Sequence, residues 1–199
     1  MEAAADRSPD GPGSDDDIAV RHGTTLCAPP SNLDAVPFEI PDGLNPAVNR
    51  LAWLVGRWEG TGKGVYPGTE EFDFGQQVDF AHNGGDFLHY LSQTFEVDAE
   101  GKAVRPLSME TGFWRPQADD SVEVVMCHPA GYAEVWYGKV TGAKIELTTD
   151  AVVRTMTADE YTAGQRLYGL VEGDLLWTFD KAAGGHPLQN HLWARLRRV

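Results

Sequence analysis

The sequence predicts an all-β fold, an antiparallel up-and-down barrel of about ten strands that occupies residues 51–199. Segments rich in β-branched and aromatic residues alternate with period two, and Gly- or Asn-containing turns separate them at short intervals. The 22 glycines and 12 prolines break the chain of 199 residues into short pieces, which favours many strands over a few long helices.

Residues 1–32 are rich in Asp, Gly, Pro, Ser and Ala, carry the run Asp15-Asp16-Asp17, and read as a disordered acidic leader. The folded domain is expected over residues 33–199. Within residues 33–46, Val36, Phe38 and Ile40 alternate, as in an extended strap lying on the barrel. Asn45 then stands as a cap before Pro46, and Val48, Leu51, Ala52 and Val55 recur at i, i+3, i+4 and i+7. That spacing predicts a short amphipathic helix.

Beyond Gly56 the period becomes two. A first strand around Trp58 is followed by strands at 72–80, 87–97, 109–116, 122–127, 132–140, 145–147, 161–171, 175–180 and 191–198. The separators include Asn83-Gly84-Gly85-Asp86, Ala99-Glu100-Gly101-Lys102, Pro129-Ala130-Gly131, Thr141-Gly142 and Glu172-Gly173-Asp174. Connections this short leave no room for crossover helices, so the sheet is antiparallel. Closure into a barrel removes its exposed edges. A barrel of more than about eight strands is wider than side chains alone fill, which points to a small, largely apolar ligand.

With 16 basic and 30 acidic residues the formal charge is −14, which disfavours nucleic acid and anionic membrane surfaces as partners. No apolar run approaches the roughly 18 residues of a membrane helix. Residues 1–19 lack a basic n-region and an apolar h-region, so a secretory signal is not expected. Cys27 and Cys127 make no disulfide framework and would pair only if the leader packed on the barrel. A reduced, cytoplasmic setting is the expectation.

The run Gly56-Arg57-Trp58-Glu59-Gly60-Thr61-Gly62-Lys63-Gly64-Val65-Tyr66-Pro67 is a glycine-alternating strand. Period-two glycines on one face permit close backbone approach or sharp curvature, with Trp58 and Tyr66 as packing or pocket wall. No parallel βαβ unit follows, so the run is not a phosphate-binding loop. It resembles the nitrobindin signature G-x-W-x-G-x-G-x-G-x-Y-P at Gly56, Trp58, Gly60, Gly62, Gly64, Tyr66 and Pro67. The resemblance continues through Phe74-Gly75-Gln76-Gln77-Val78, Glu110-Thr111-Gly112-Phe113 and Cys127-His128-Pro129-Ala130-Gly131. It ends with Pro187-Leu188-Gln189-Asn190-His191-Leu192-Trp193-Ala194-Arg195-Leu196, and so spans nearly the whole body.

The resemblance implies a fatty-acid-binding-protein-like barrel of the calycin type. It would hold a b-type haem in a cleft at one end, with His191 as the axial iron ligand. It further implies an isomerase that converts peroxynitrite to nitrate at ferric haem and binds nitric oxide, and homodimerisation is compatible with it. No catalytic side chain beyond the haem iron is implied. Two positions depart from the family pattern. Gly68 follows the Tyr-Pro pair, with Thr69 one place on, where members commonly carry Thr. Ser108 stands where some members have a distal histidine, which implies a five-coordinate or water-capped iron.

Read without the family, the six histidines rank differently. His22 lies in the leader, His82 and His128 border turns and should be solvent-exposed, and His89 and His186 read as surface residues. Period two sets Leu192, Ala194 and Leu196 on one face of the last strand and His191, Trp193, Arg195 and Arg197 on the other. For His191 to reach a cofactor it must sit at the open end of the barrel, or where the pleat is broken. Two rival readings follow from the barrel alone. One is a carrier of haem or another apolar molecule without turnover, and the other is a nitric oxide sensor acting through a partner.

Overall fold

The computed structural model describes residues 40–199. The expected leader and residues 33–39 of the strap lie outside the described residues; Ile40 is exposed, and the chain then turns, the Leu44 amide donating to the Pro41 carbonyl (3.2 Å). Ten strands follow one helix: β1 (Gly56–Gly64), β2 (Phe72–Ala81), β3 (Leu88–Val97), β4 (Ala103–Pro116), β5 (Ser121–His128), β6 (Tyr132–Thr141), β7 (Lys144–Arg154), β8 (Tyr161–Val171), β9 (Asp174–Ala183) and β10 (Gln189–Arg198). Each strand pairs antiparallel with its sequence neighbours, and β1 also pairs with β10, so the sheet closes.

The expected short helix is present at Pro46–Leu54, as nine residues of 3₁₀ helix. At three residues per turn it buries Val48, Leu51 and Leu54 on one stripe, while Val55 has already left the helix in an extended conformation. The Asn45 side chain caps it by accepting from the Ala47 amide (3.0 Å). The helix sits at the lower end of the barrel, where Asn45 reaches Gly84 in the β2–β3 turn and Arg50 pairs with Asp120 in the β4–β5 turn. Trp58, fully buried, donates its indole N–H to the Leu54 carbonyl (2.7 Å), and Arg198 covers its ring at 4.1 Å. This tryptophan of the glycine run is therefore a plug of the lower end, not a pocket wall.

The lower and middle barrel is filled by side chains. Trp114 centres an aromatic cluster with Phe80, Tyr90 and Tyr168, at ring-centroid separations of 5.4, 6.0 and 5.1 Å. Each buried indole of this kind contributes about 5 kcal/mol of hydrophobic stabilisation before ordering costs. The expectation that side chains cannot fill a ten-stranded barrel thus fails for most of its length. The reason is aromatic volume: Trp58, Trp114 and Trp136 all lie inside. The upper end differs.

That end is built by strand lengths that alternation does not reveal. β4 begins six residues before the expected 109, through a segment containing Pro106, and pairs there only with β3. β7 runs seven residues past the expected 147, but its ladder to β8 covers only Lys144 to Thr148. Proline and polar residues are tolerated in these stretches because each has a free edge. Where β4 has no ladder to β5 and β7 none to β8, the upper wall of the barrel is not hydrogen-bonded shut, and this end is its mouth.

The glycines of β1 set the seam to β10. Gly60 faces Leu196, Gly62 faces Ala194 and Gly64 faces Leu192. A methyl group at Gly60 would collide with the Arg195 carbonyl, and one at Gly62 with the Trp193 carbonyl and the Phe74 ring. Backbone cannot step aside as a flexible side chain can. Gly60→Ala is expected to lower stability by about 2 kcal/mol in urea unfolding, and a variant as stable as the parent would refute the close-approach reading.

Candidate functional site

The upper mouth is organised around His191. Against the β9 ladder the register shifts between Asn190 and Leu192, so that Asn190 faces Asp180 while Leu192 faces Phe179, and His191 is the extra residue of a β-bulge. A bulge interrupts the alternation and re-aims a side chain. Here it turns the imidazole from the outward face that strict alternation assigns it to a position 5% exposed, with Phe179 at 5.6 Å and Tyr66 edge-on at 4.3 Å.

Two hydrogen bonds tie His191 to the end of the glycine run. The Val65 amide donates to the His191 carbonyl, and the His191 Nδ1–H donates to the Val65 carbonyl, both at 2.9 Å. A carbonyl only accepts, so Nδ1 carries the proton and Nε2 presents its lone pair. Nε2 has no partner among the described residues. Burial lowers the imidazole pKa to about 4, more than the Val65 hydrogen bond raises it, and the positive charges of Lys181 and Arg166 add to the depression. At neutral pH the ring is an uncharged nitrogen donor.

The chain beyond β1 holds this arrangement with a tight turn. In Tyr66-Pro67-Gly68-Thr69 the Thr69 amide donates to the Tyr66 carbonyl (3.0 Å), and Gly68 has φ +81°. Proline at the second place and a positive-φ glycine at the third are the requirements of a type II turn. The Thr69 hydroxyl exchanges hydrogen bonds with the Tyr66 backbone, accepting from its amide at 3.2 Å and donating to its carbonyl at 3.0 Å. The Gly68-Thr69 departure therefore serves the turn that presents Tyr66 to His191.

Beneath the mouth lies a charged network that the sequence reading missed. Arg166 on β8, 4% exposed, makes a two-pronged ion pair with Glu110 on β4 (2.6 and 2.7 Å). Tyr90 donates to the same carboxylate at 2.6 Å. Burial alone would raise the Glu110 pKa, but the Arg166 charge and its hydrogen bonds outweigh burial and hold it down to about 2. Burial likewise opposes the charge on Arg166, yet Glu110 raises its pKa well above the ordinary value. The guanidinium also lies 4.5 Å over the Phe179 ring that touches His191.

Glu134 on β6, 1% exposed, accepts from His128 Nε2 (2.8 Å) and from the Trp136 indole (3.1 Å). His128, expected to be solvent-exposed beside its turn, is instead mostly buried between Glu134 and Glu110. The turn residue ends a strand whose last side chain points inward. Glu134 Oε1, Arg166 Nε and the Tyr161 hydroxyl are buried without hydrogen-bond partners among the described residues. The signal that would have found this network is register: Glu110 shares its face with Trp114, Glu134 with Trp136, and Arg166 with Tyr168. A charge on the core face must be paired or functional.

The other singled-out positions lie elsewhere. His89 bonds Thr111 on the outside of β3 (2.9 Å), His186 is exposed in the β9–β10 turn, and His82 lies just past β2. Ser108 is exposed on the free upper half of β4. Cys127 is exposed and free, and Cys27 lies outside the described residues. Among the described residues no group of three metal-binding side chains occurs. A groove of about 660 Å³ runs over the outer face of β7 to β10 and β1, lined by Leu167, Leu176 and Trp193, and none of the residues around His191 lines it.

Residues 47–198 match the model of a family described as "THAP4-like, heme-binding beta-barrel domain". A "Ferric nitrobindin-like protein" of Cutibacterium acnes is 59% identical over 165 residues, covering 82% of this chain and 99% of that protein. A "Peroxynitrite isomerase" of Nocardioides sp. is 53% identical over 163 residues, with 82% and 99% covered. The crystal structure of Rv2717c from M. tuberculosis superposes with a TM-score of 0.71 at 40% identity, over 78% of this chain and 99% of that one.

Proposed function

Since the chain belongs to the THAP4-like heme-binding β-barrel family, we propose that it holds haem b through His191 and isomerises peroxynitrite to nitrate at the ferric iron, with nitric oxide as a further ligand. The observation that carries this reading is the bare Nε2 of a neutral, buried imidazole whose other nitrogen is committed to a backbone carbonyl. An imidazole of that kind fits a proximal haem ligand. Bound haem supplies the Lewis-acidic, redox-capable iron at which the oxidant rearranges.

What this chain contributes is placement and environment. The Val65 carbonyl on Nδ1–H fixes the tautomer and strengthens Nε2 as a donor; outer partners of this type are worth about ten- to a hundredfold in affinity. Tyr66 and Phe179 clamp the ring from two sides, so its rotation is set before a cofactor arrives. Below, Arg166 with Glu110 and His128 with Glu134 form a hydrogen-bonded floor. Ser108, exposed on the free upper half of β4, offers no nitrogen donor and would add no second nitrogen ligand to the group that His191 would hold.

The test uses the full chain reconstituted with haemin. Mixed with peroxynitrite in a stopped-flow instrument, it should speed peroxynitrite decay over free buffer, with nitrate as the product. A stable Soret band without acceleration would favour the carrier reading instead. A cytoplasmic protein that avoids nucleic acid and membrane surfaces is part of the same proposal, supported by the net charge of −14. Homodimerisation is compatible with it.

A further inference from the structure

We propose that Lys181 is an anion-binding residue at the mouth of the barrel, its ammonium facing the cleft beside His191 and taking an anionic oxygen group. The inference rests on the reading of this mouth as the haem site, and concerns a residue to which that reading gives no role.

Lys181 follows Leu175, Trp177 and Phe179 on the inward face of β9, one step nearer the mouth than the ring that touches His191. Its Nζ lies 4.8 Å over the Tyr161 ring and 5.5 Å over the Tyr132 ring. Ring faces attract the charge without accepting the three N–H bonds in line. No carboxylate among the described residues comes within ion-pair distance of Lys181, and none of its N–H groups has an acceptor there. Burial accordingly lowers its pKa, with Glu134 and Asp159 acting only from a distance to oppose that.

The nearby carboxylates take their hydrogen bonds from other groups. Arg166 is matched by Glu110, and both His128 and the Trp136 indole bind Glu134. Lys181 is left as a half-buried cation with open donors, and an anionic oxygen is the partner that satisfies charge and hydrogen bonding together. The whole protein carries a net charge of −14, a field that repels anions, so an inward cation at the entrance is where one would be received. Two sources share this chemistry: a carboxylate on the porphyrin edge, and a free anion such as the oxidant or its nitrate product.

The experiment compares the full-length protein with Lys181→Met, which keeps the apolar stem, and Lys181→Arg, which keeps the charge. Without haem, the fluorescent anion 1-anilinonaphthalene-8-sulfonate should bind the Met variant about tenfold more weakly and the Arg variant nearly as the parent. The uncharged N-phenyl-1-naphthylamine should bind all three alike. With haem, a loss for haemin but not for its dimethyl ester assigns the porphyrin carboxylate. An unchanged haemin affinity with weaker azide binding to the ferric protein assigns the free anion. Affinities for sulfonate, haemin and azide all within twofold of the parent would overturn the proposal, as would equal losses for the charged and uncharged naphthalene probes. If haemin fails to bind even the parent while the sulfonate arm responds, the haem reading falls and the anion site stands.

Discussion

Haemin added to the His191→Ala protein should give the broad absorption of unligated haemin, while the parent gives a sharp Soret band. The affinity loss should be at least about a hundredfold, because partners one bond further out already account for up to that much. His191 sits in a bulge with its backbone bonded to Val65 by the main chain, so truncation removes the donor without removing the bond that holds the strand. The measurement is a Soret titration of both proteins, with thermal unfolding of the apo forms to show that the variant is folded. Equal spectra would sink the proposal that this imidazole is the iron ligand.

The largest effect on stability should come from Glu110→Ala, about 3–5 kcal/mol, because it leaves the Arg166 guanidinium buried and uncompensated. The depression of the Glu110 pKa from its ordinary 4.5 to about 2 corresponds to about 3 kcal/mol, which agrees in size. In a domain of this length that is a fall in Tm of roughly 10 °C. The sign in acid follows from the same shift. A carboxyl group with a depressed folded-state pKa contributes fully above its unfolded value of 4.5, and the contribution fades as pH falls from there toward about 2. Urea unfolding of parent and variant at pH 7 should therefore differ by the full amount, and the gap should narrow below pH 4. Replacing both partners, Glu110→Leu with Arg166→Met, should recover much of the loss, since a buried ion pair gains little over a well-packed apolar pair. A constant gap at all pH values would show that the cost of Glu110→Ala is lost packing rather than lost charge.

The strand plan was legible because period two and short turns are local properties. The alternating segment 161–171 has the same bounds as β8, and most other alternating segments end within three residues of their strands. The exceptions, β4 and β7, are strands whose extra length lies in unpaired stretches without alternation. His191 was reached through the resemblance, while its own strand pattern pointed it outward. Lys181 and Glu134 went unread because a charged residue in an alternating segment is indistinguishable from a solvated one until the face it occupies is known.

By itself the sequence determined the all-β class, the closed antiparallel topology and the family signature, all carried by residues near one another in the chain. Only the tertiary structure decided the chemistry of the mouth. The bulge that turns His191 inward, the carbonyl 126 positions away that fixes its proton, and the Glu110–Arg166 pair 56 positions apart exist only once distant strands lie in register. Hydrogen bonds and desolvation act over a few ångströms of space, and the chain brings those groups within that range only by closing the barrel.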